Sequence, residues 1–180
     1  MPEHIILWRH AEAKDIFDGN DAVKIDIAQS DMQRALTQKG RRQAANMAMW
    51  LNPQLPKATL LLCSPALRAF QTAEALQDVN KSCKINISQA LKPGASLNAV
   101  LASIAKTNSC DSLVLVGHQP WLGQLAAHLL GLFEQGHTKE LAIKKGAIWW
   151  LRLDKTQDKT REEAMSARYI IHTVQIPSLL

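Results

Sequence analysis

The chain has 180 residues, 47% hydrophobic and 21% charged, a length that suits one well-packed domain over 1–180 and a balance that excludes a disordered or fibrous protein. Its 21 Lys and Arg against 16 Asp and Glu give a net charge of +5, which suits an anionic ligand; the basic residues are scattered, without a zinc-finger spacing, ribonucleoprotein-type aromatic motif or basic helix, so no nucleic-acid partner is expected. The three cysteines, Cys63, Cys83 and Cys110, match neither a disulfide framework nor a zinc site, no basic leader precedes Trp8, and the apolar runs fall far short of the roughly 20 residues of a membrane helix, so the expectation is a cytoplasmic protein without membrane contact.

His4 to Trp8 is a short apolar run that breaks into Arg9-His10, the pattern of a buried strand opening into a polar loop. Residues 11 to 36 lose all periodicity and carry Glu12, Asp15, Asp18, Asp21, Asp26 and Asp31, which predicts a long surface excursion of the kind that often serves function. Thr37 caps a helix through Ala44, Met47, Ala48 and Leu51 that stops at Asn52-Pro53. Leu60 to Leu62 is a second strand. Ser64-Pro65 then reads as an N-cap with proline at the first helical position, opening a helix to about Asp78. A third strand is expected at Ile85 to Ser88, a helix at Ser96 to Lys106 and a fourth strand at Leu113 to Val116. Gly117-His118-Gln119-Pro120 repeats the strand, turn and proline-initiated helix, with Leu122, Leu125, Ala126 and Leu129 on its apolar face and Gly131 at its end. Ala147 to Leu153 and Tyr169 to Ile176 read as two strands of a hairpin. This alternation predicts an α/β protein: three layers, α/β/α, with a mostly parallel central sheet and a C-terminal antiparallel hairpin.

Arg9-His10, Ser64 through Arg68, and Gly117-His118 each follow a strand. In an open parallel sheet such ends share the crevice that takes the ligand. Two imidazoles and two guanidiniums gathered there repel one another unless an anion sits among them. Phosphate fits, because guanidinium forks bind phosphoryl oxygens in pairs and stay charged. An unprotonated imidazole can then attack phosphorus, and this chemistry calls for no metal and no cofactor.

Leu7-Trp8-Arg9-His10-Ala11-Glu12-Ala13, Ser64 through Ala73 and Val116-Gly117-His118-Gln119-Pro120 resemble, in order and spacing, three signatures of the histidine phosphatase superfamily, also called phosphoglycerate-mutase-like. The resemblance runs from Ile5 to about Leu125 and is nearest to the SixA-type phosphohistidine phosphatases. It implies that His10 is the nucleophile and that Arg9, Arg68 and His118 bind the phosphoryl oxygens and stabilise the transition state. Ser64, at the start of the second signature, joins the expected substrate-binding set. Arg34-Ala35-Leu36-Thr37-Gln38-Lys39-Gly40 resembles a further family segment, whose arginine implies that Arg34 approaches the same pocket. Phosphate or sulfate is the expected small occupant.

Ester hydrolysis expels an alkoxide, which ordinarily needs a carboxylic acid to protonate it. The segment Gln89 to Leu97 contains no Asp or Glu, and Gln119 stands where the second acid of the family would follow His118. A phosphorylated imidazole leaves without such help, so the expected substrate is phosphohistidine on a protein such as a phosphotransfer domain, with Glu12 or a carboxylate of the 15 to 31 loop as alternative proton donors. A small-molecule phosphomonoesterase and a non-catalytic phosphate-binding adaptor are the competing expectations. Cys63 with Arg68 invites a cysteine-dependent mechanism, but four residues intervene rather than five, and Cys63 reads as a buried strand end. His4, His128, His137, His172 and the pair Trp149-Trp150 lack motif partners and read as packing or surface residues.

Overall fold

A computed structural model describes residues 1–15, 31–107, 110–134, 137–138, 140–155 and 169–180. Each apolar run of the sequence becomes a strand: β1 (His4–Arg9), β2 (Thr59–Cys63), β3 (Ile85–Ile87), β4 (Ser112–Gly117), β7 (Ile148–Leu153) and β8 (Tyr169–Gln175) form one six-stranded sheet in the order β3-β2-β4-β1-β7-β8. The first four strands are parallel, and β7 pairs antiparallel with both β1 and β8. A separate pair of two-residue strands, β5 (Phe133–Glu134) and β6 (His137–Thr138), was not expected from the sequence.

Side chains alternate across a strand, so each central strand feeds two cores. Ile5, Leu7, Leu113 and Leu115 pack with Val100 and Ile104 of α3 (Leu97–Ala105) and with Leu122, Leu125 and Ala126 of α4 (Trp121–Leu129). Ile6, Trp8, Val114 and Val116 pack on the other face with Met47 and Leu51 of α1 (Gln38–Leu51) and Ala69, Ala73 and Leu76 of α2 (Leu67–Val79). The result is the expected three-layer α/β/α arrangement. Full burial of a side chain the size of Leu or Ile contributes about 1.5–3 kcal/mol, and these positions in β1 and β4 are all 0% exposed. No helix among the described residues is long and apolar enough to cross a membrane.

Caps and glycines fix where the elements end. The Thr37 hydroxyl accepts from Gly40 N at 2.9 Å and caps α1 as expected. Gly131 adopts φ +69° beyond the end of α4, a conformation that favours glycine and stops the helix there. The expected cap at Ser64 is corrected: α2 begins at Leu67, with Ala66 in the N-cap position and no side-chain cap. The Ser64 hydroxyl accepts from Ala66 N at 3.2 Å and also meets His118, so it joins the approach to the helix to the crevice. Asp18, Asp21 and Asp26 of the long excursion, and residues 156–168 between β7 and β8, lie outside the described residues. The described ends of that excursion are pinned together by an antiparallel bridge between Ala13 and Leu36.

Candidate active site

The parallel register brings the three motifs together. Arg9 lies opposite Gly117, and Cys63 opposite Val116, so β1, β2 and β4 end side by side. The backbone ladder continues one step further: His10 N donates to Gly117 O and Ser64 N to Val116 O, each at 3.0 Å. On the opposite flank Gly146, at φ +76°, donates its N–H to the carbonyls of Arg9 and His10. Gly117 has a steric reason to be glycine, because a Cβ there would lie 2.0 Å from Cζ2 of the Trp121 ring.

His10 and His118 face each other across the crevice, ring centroids 5.0 Å apart. His10 Nδ1 lies 2.8 Å from Ala11 O. A carbonyl only accepts, so Nδ1 carries the proton and Nε2 keeps its lone pair. Burial, then the nearby Arg68 and Arg9 charges, push the His10 pKa down to about 3 against the opposing Ala11 bond. Burial, followed by His10 and Arg68, lowers His118 to about 2. Both rings are therefore neutral near pH 7. His118 Nε2 is 2.7 Å from Ser64 Oγ.

The guanidiniums are held from behind. Arg9 Nη1 donates to Ile143 O at 2.7 Å. Arg68, only 4% exposed, donates Nη1 to Asp31 O and Nη2 to Asp31 Oδ2, the latter at 2.9 Å. Arg34 Nη1 reaches Asp31 Oδ1 at 3.1 Å, which ties Arg34 to Arg68 through one carboxylate. Burial alone would raise the Asp31 carboxyl, but its hydrogen bonds from Arg68 and Arg34 outweigh that and hold it below the usual range. Among the described residues, Arg9 Nε, Arg68 Nε and His118 Nδ1 are buried without a hydrogen-bond partner. Buried polar atoms of this kind are expensive to leave unpaired, and two guanidinium N–H donors beside a pair of imidazoles suit an anion.

Of the residues expected at the site, Arg9, His10, Ser64, Arg68 and His118 lie together, whereas Arg34 meets the group only through Asp31, its Nε donating to Lys14 O and its Nη2 lying 3.5 Å from Asp15 Oδ1. Glu12 takes another role. Its carboxylate accepts from Thr37 Oγ1 at 3.0 Å and pairs with Lys39 Nζ at 2.9 Å. Gln119 is engaged at both ends of its amide, with Leu141 O and Gly123 N. Two supporting residues went unassigned in the sequence. Thr72 Oγ1 accepts from Ala11 N at 3.1 Å and donates to Arg68 O at 2.7 Å, tying the His10 loop to α2. Asp31 sat among many loop carboxylates, and only its spacing of three from Arg34 could have marked it. No group of three His, Cys, Asp or Glu suited to a metal ion occurs among the described residues.

Fold and site together define a phosphatase built on a three-layer α/β sheet. A family model of the histidine phosphatase superfamily (branch 1) matches residues 5–92, and the phosphohistidine phosphatase SixA of Escherichia coli is 35% identical over 128 residues, 69% of this chain and 73% of that protein. The chain belongs to the histidine phosphatase superfamily, among its SixA-type members. A SixA homolog of Haemophilus influenzae is 27% identical over 138 residues, 71% of this chain and 77% of its own. The solved structure of the protein histidine phosphatase SixA complexed with tungstate matches with a TM-score of 0.72 at 26% identity, over 98% of both chains.

Proposed function

We propose that this chain, as one domain over 1–180, is a protein phosphohistidine phosphatase that works through a covalent phosphoryl group on His10. The observation that carries the reading is the bond from His10 Nδ1–H to Ala11 O, which aims an unprotonated Nε2 away from the backbone inside a ring of cationic donors. The Nε2 lone pair forms a bond to phosphorus as the substrate's P–N bond breaks. The departing electron pair returns to the substrate imidazole, which takes a proton from solvent. Water then attacks phosphohistidine 10, the new P–N bond breaks, its electron pair returns to Nε2, and inorganic phosphate leaves with the water's proton lost to bulk. Arg9, Arg68 and His118 stabilise the charge on the transferring oxygens, with Arg34 and Ser64 as flanking contacts. Preorganised donors of this kind supply the larger part of the acceleration in phosphoryl transfer.

The substrate class rests on the proton donors among the described residues. Gln119 cannot act as an acid, Glu12 is occupied by Thr37 and Lys39, and Asp31 is kept ionised by two arginines. None of these suits an alkoxide leaving group, whereas an imidazole leaves without a carboxylic acid. The SixA relatives carry phosphohistidine phosphatase in their names, and the tungstate complex of a protein histidine phosphatase SixA supports a phosphate-like occupant here. The favoured partner is a phosphotransfer domain bearing phosphohistidine.

The test is a brief reaction with labelled phosphohistidine protein, stopped with alkali. A labelled, acid-labile phosphoprotein is expected from the native chain and not from His10→Ala. Label retained in that variant refutes the mechanism. Equal turnover of phosphoserine or sugar phosphates would favour a phosphomonoesterase, and phosphate binding without turnover an adaptor.

A further inference from the structure

Asp31 is the residue whose placement the mechanism leaves unused. Its backbone carbonyl and its carboxylate together occupy both terminal nitrogens of Arg68, and the second carboxylate oxygen takes Arg34. Arg68 is nearly fully buried, whereas the Asp31 side chain is 26% exposed. The aspartate therefore stands on the outer side of the guanidinium. The inner Nε is buried and has no partner among the described residues. A guanidinium is planar and rigid, so clamping its outer pair of nitrogens fixes the direction of the third.

We propose that Asp31 is a positioning residue: it locks the Arg68 guanidinium so that Nε faces the phosphoryl group, while Arg34 braces the other oxygen of the same carboxylate. The proposal rests on the reading of this crevice as a phosphoryl site. Two consequences follow from the geometry. Arg68 no longer has to be ordered when substrate arrives, so binding energy is not lost in freezing a long side chain. The acidic group also lies behind the arginine rather than in front of it, which lets a negative charge strengthen an anion site instead of opposing it.

The opposite reading of the same contacts is a brake, in which the Asp31 carboxylate competes with phosphate for Arg68. The two differ in sign. Inorganic phosphate binding to the full chain, measured by calorimetry, is compared for the native protein, Asp31→Ala and Asp31→Asn, with kcat and KM for a phosphohistidine protein and a thermal unfolding midpoint for each. Positioning predicts phosphate affinity about tenfold or more weaker in Asp31→Ala. Asp31→Asn, which keeps an acceptor oxygen and the backbone carbonyl, recovers part of that loss. Phosphate affinity that is unchanged or tighter in both variants overturns the proposal, even if the midpoint falls, since a merely structural role would move the midpoint alone. Should Asp31→Ala fail to fold, Asp31→Asn decides by the same sign. A native chain that neither binds phosphate nor releases it from phosphohistidine would remove the proposed function as well, whereas a native chain that does both, with unaffected variants, sinks only the role of Asp31.

Discussion

The imidazoles of His10 and His118 lie 5.0 Å apart with their planes inclined by 51°, and the fold keeps both uncharged. In the unfolded chain each ring titrates near pH 6.5; in the folded chain burial lowers them to about 3 and about 2. Between these values the unfolded chain binds more protons, so this part of the stability is complete above about pH 6.5 and is lost as pH falls toward 3. Thermal unfolding should therefore show a lower midpoint at pH 5 than at pH 8. Sulfate, a dianion at both, offsets the charge of a protonated ring and should narrow the gap. A midpoint independent of pH over this range would contradict the burial of neutral imidazoles.

Thr72 is the hinge pin between the His10 loop and the Arg68 helix. Thr72→Val preserves shape but leaves Ala11 N–H buried without its acceptor, at a cost of about 1–3 kcal/mol. The loop that holds His10 Nδ1 then loses its anchor, and kcat/KM for phosphohistidine should fall about tenfold or more, as misplaced nucleophiles lose rate steeply. Thr72→Ser keeps the hydroxyl and should stay near native in both measurements. Equal rates for the valine and serine variants would show that the hydroxyl does not position the nucleophile.

The strands and the five convergent residues were legible because each apolar run ends in a short polar motif, and a parallel sheet offers one edge for all of them. What could not be read was the division of labour among polar side chains. Ser64 followed by Pro65 has the form of a helix cap, yet the chain bends at Pro65 and Ala66 before the helix begins at Leu67, and the hydroxyl also meets His118. Hydrogen-bonding preference near a helix start does not distinguish a backbone partner from a ring nitrogen. Asp31 lay in a segment of many carboxylates with no periodicity, and its spacing of three from Arg34 gave no sign of the meeting with Arg68. Glu12 was open to a proton-donor role because sequence does not show that Thr37 and Lys39 already hold it. The β5–β6 pair has strands of two residues, too short for any alternation to register.

Cys63 is fully buried at the end of β2, its thiol donates to Ser64 O at 3.2 Å, and burial pushes its pKa upward. A thiol so placed is neither nucleophilic nor reachable. Iodoacetamide should leave turnover intact in the folded protein, and Cys63→Ala should cost about 1 kcal/mol in unfolding experiments through a small cavity while keeping kcat within about threefold. Rapid inactivation by the reagent, traced to Cys63 by peptide mapping, would reopen a cysteine-dependent mechanism.

Gly40 ends the segment that also contains Arg34, and its place is set by contact rather than by dihedral angle. A Cβ built there falls onto the carbonyl oxygen of Glu12. That same oxygen accepts from Thr37 N at 3.0 Å, and Glu12 N in turn donates to Gln43 at 3.1 Å, so the start of α1 is laid directly against the strand of chain that leaves His10. The neighbour is backbone and cannot rotate aside as a long side chain would. Gly40→Ala must therefore shift either the helix or the 10–13 loop, and overpacking of this kind costs about 1–3 kcal/mol. Since Ala11 O, which fixes the His10 tautomer, is one residue from the clash, the substitution should depress kcat/KM by more than its effect on the unfolding midpoint accounts for at a temperature where the variant is fully folded. Unfolding curves and steady-state rates on the same preparation separate the two. Full activity in a folded Gly40→Ala protein would mean that the loop absorbs the shift without moving the imidazole, and that the link from α1 to the nucleophile carries no catalytic weight.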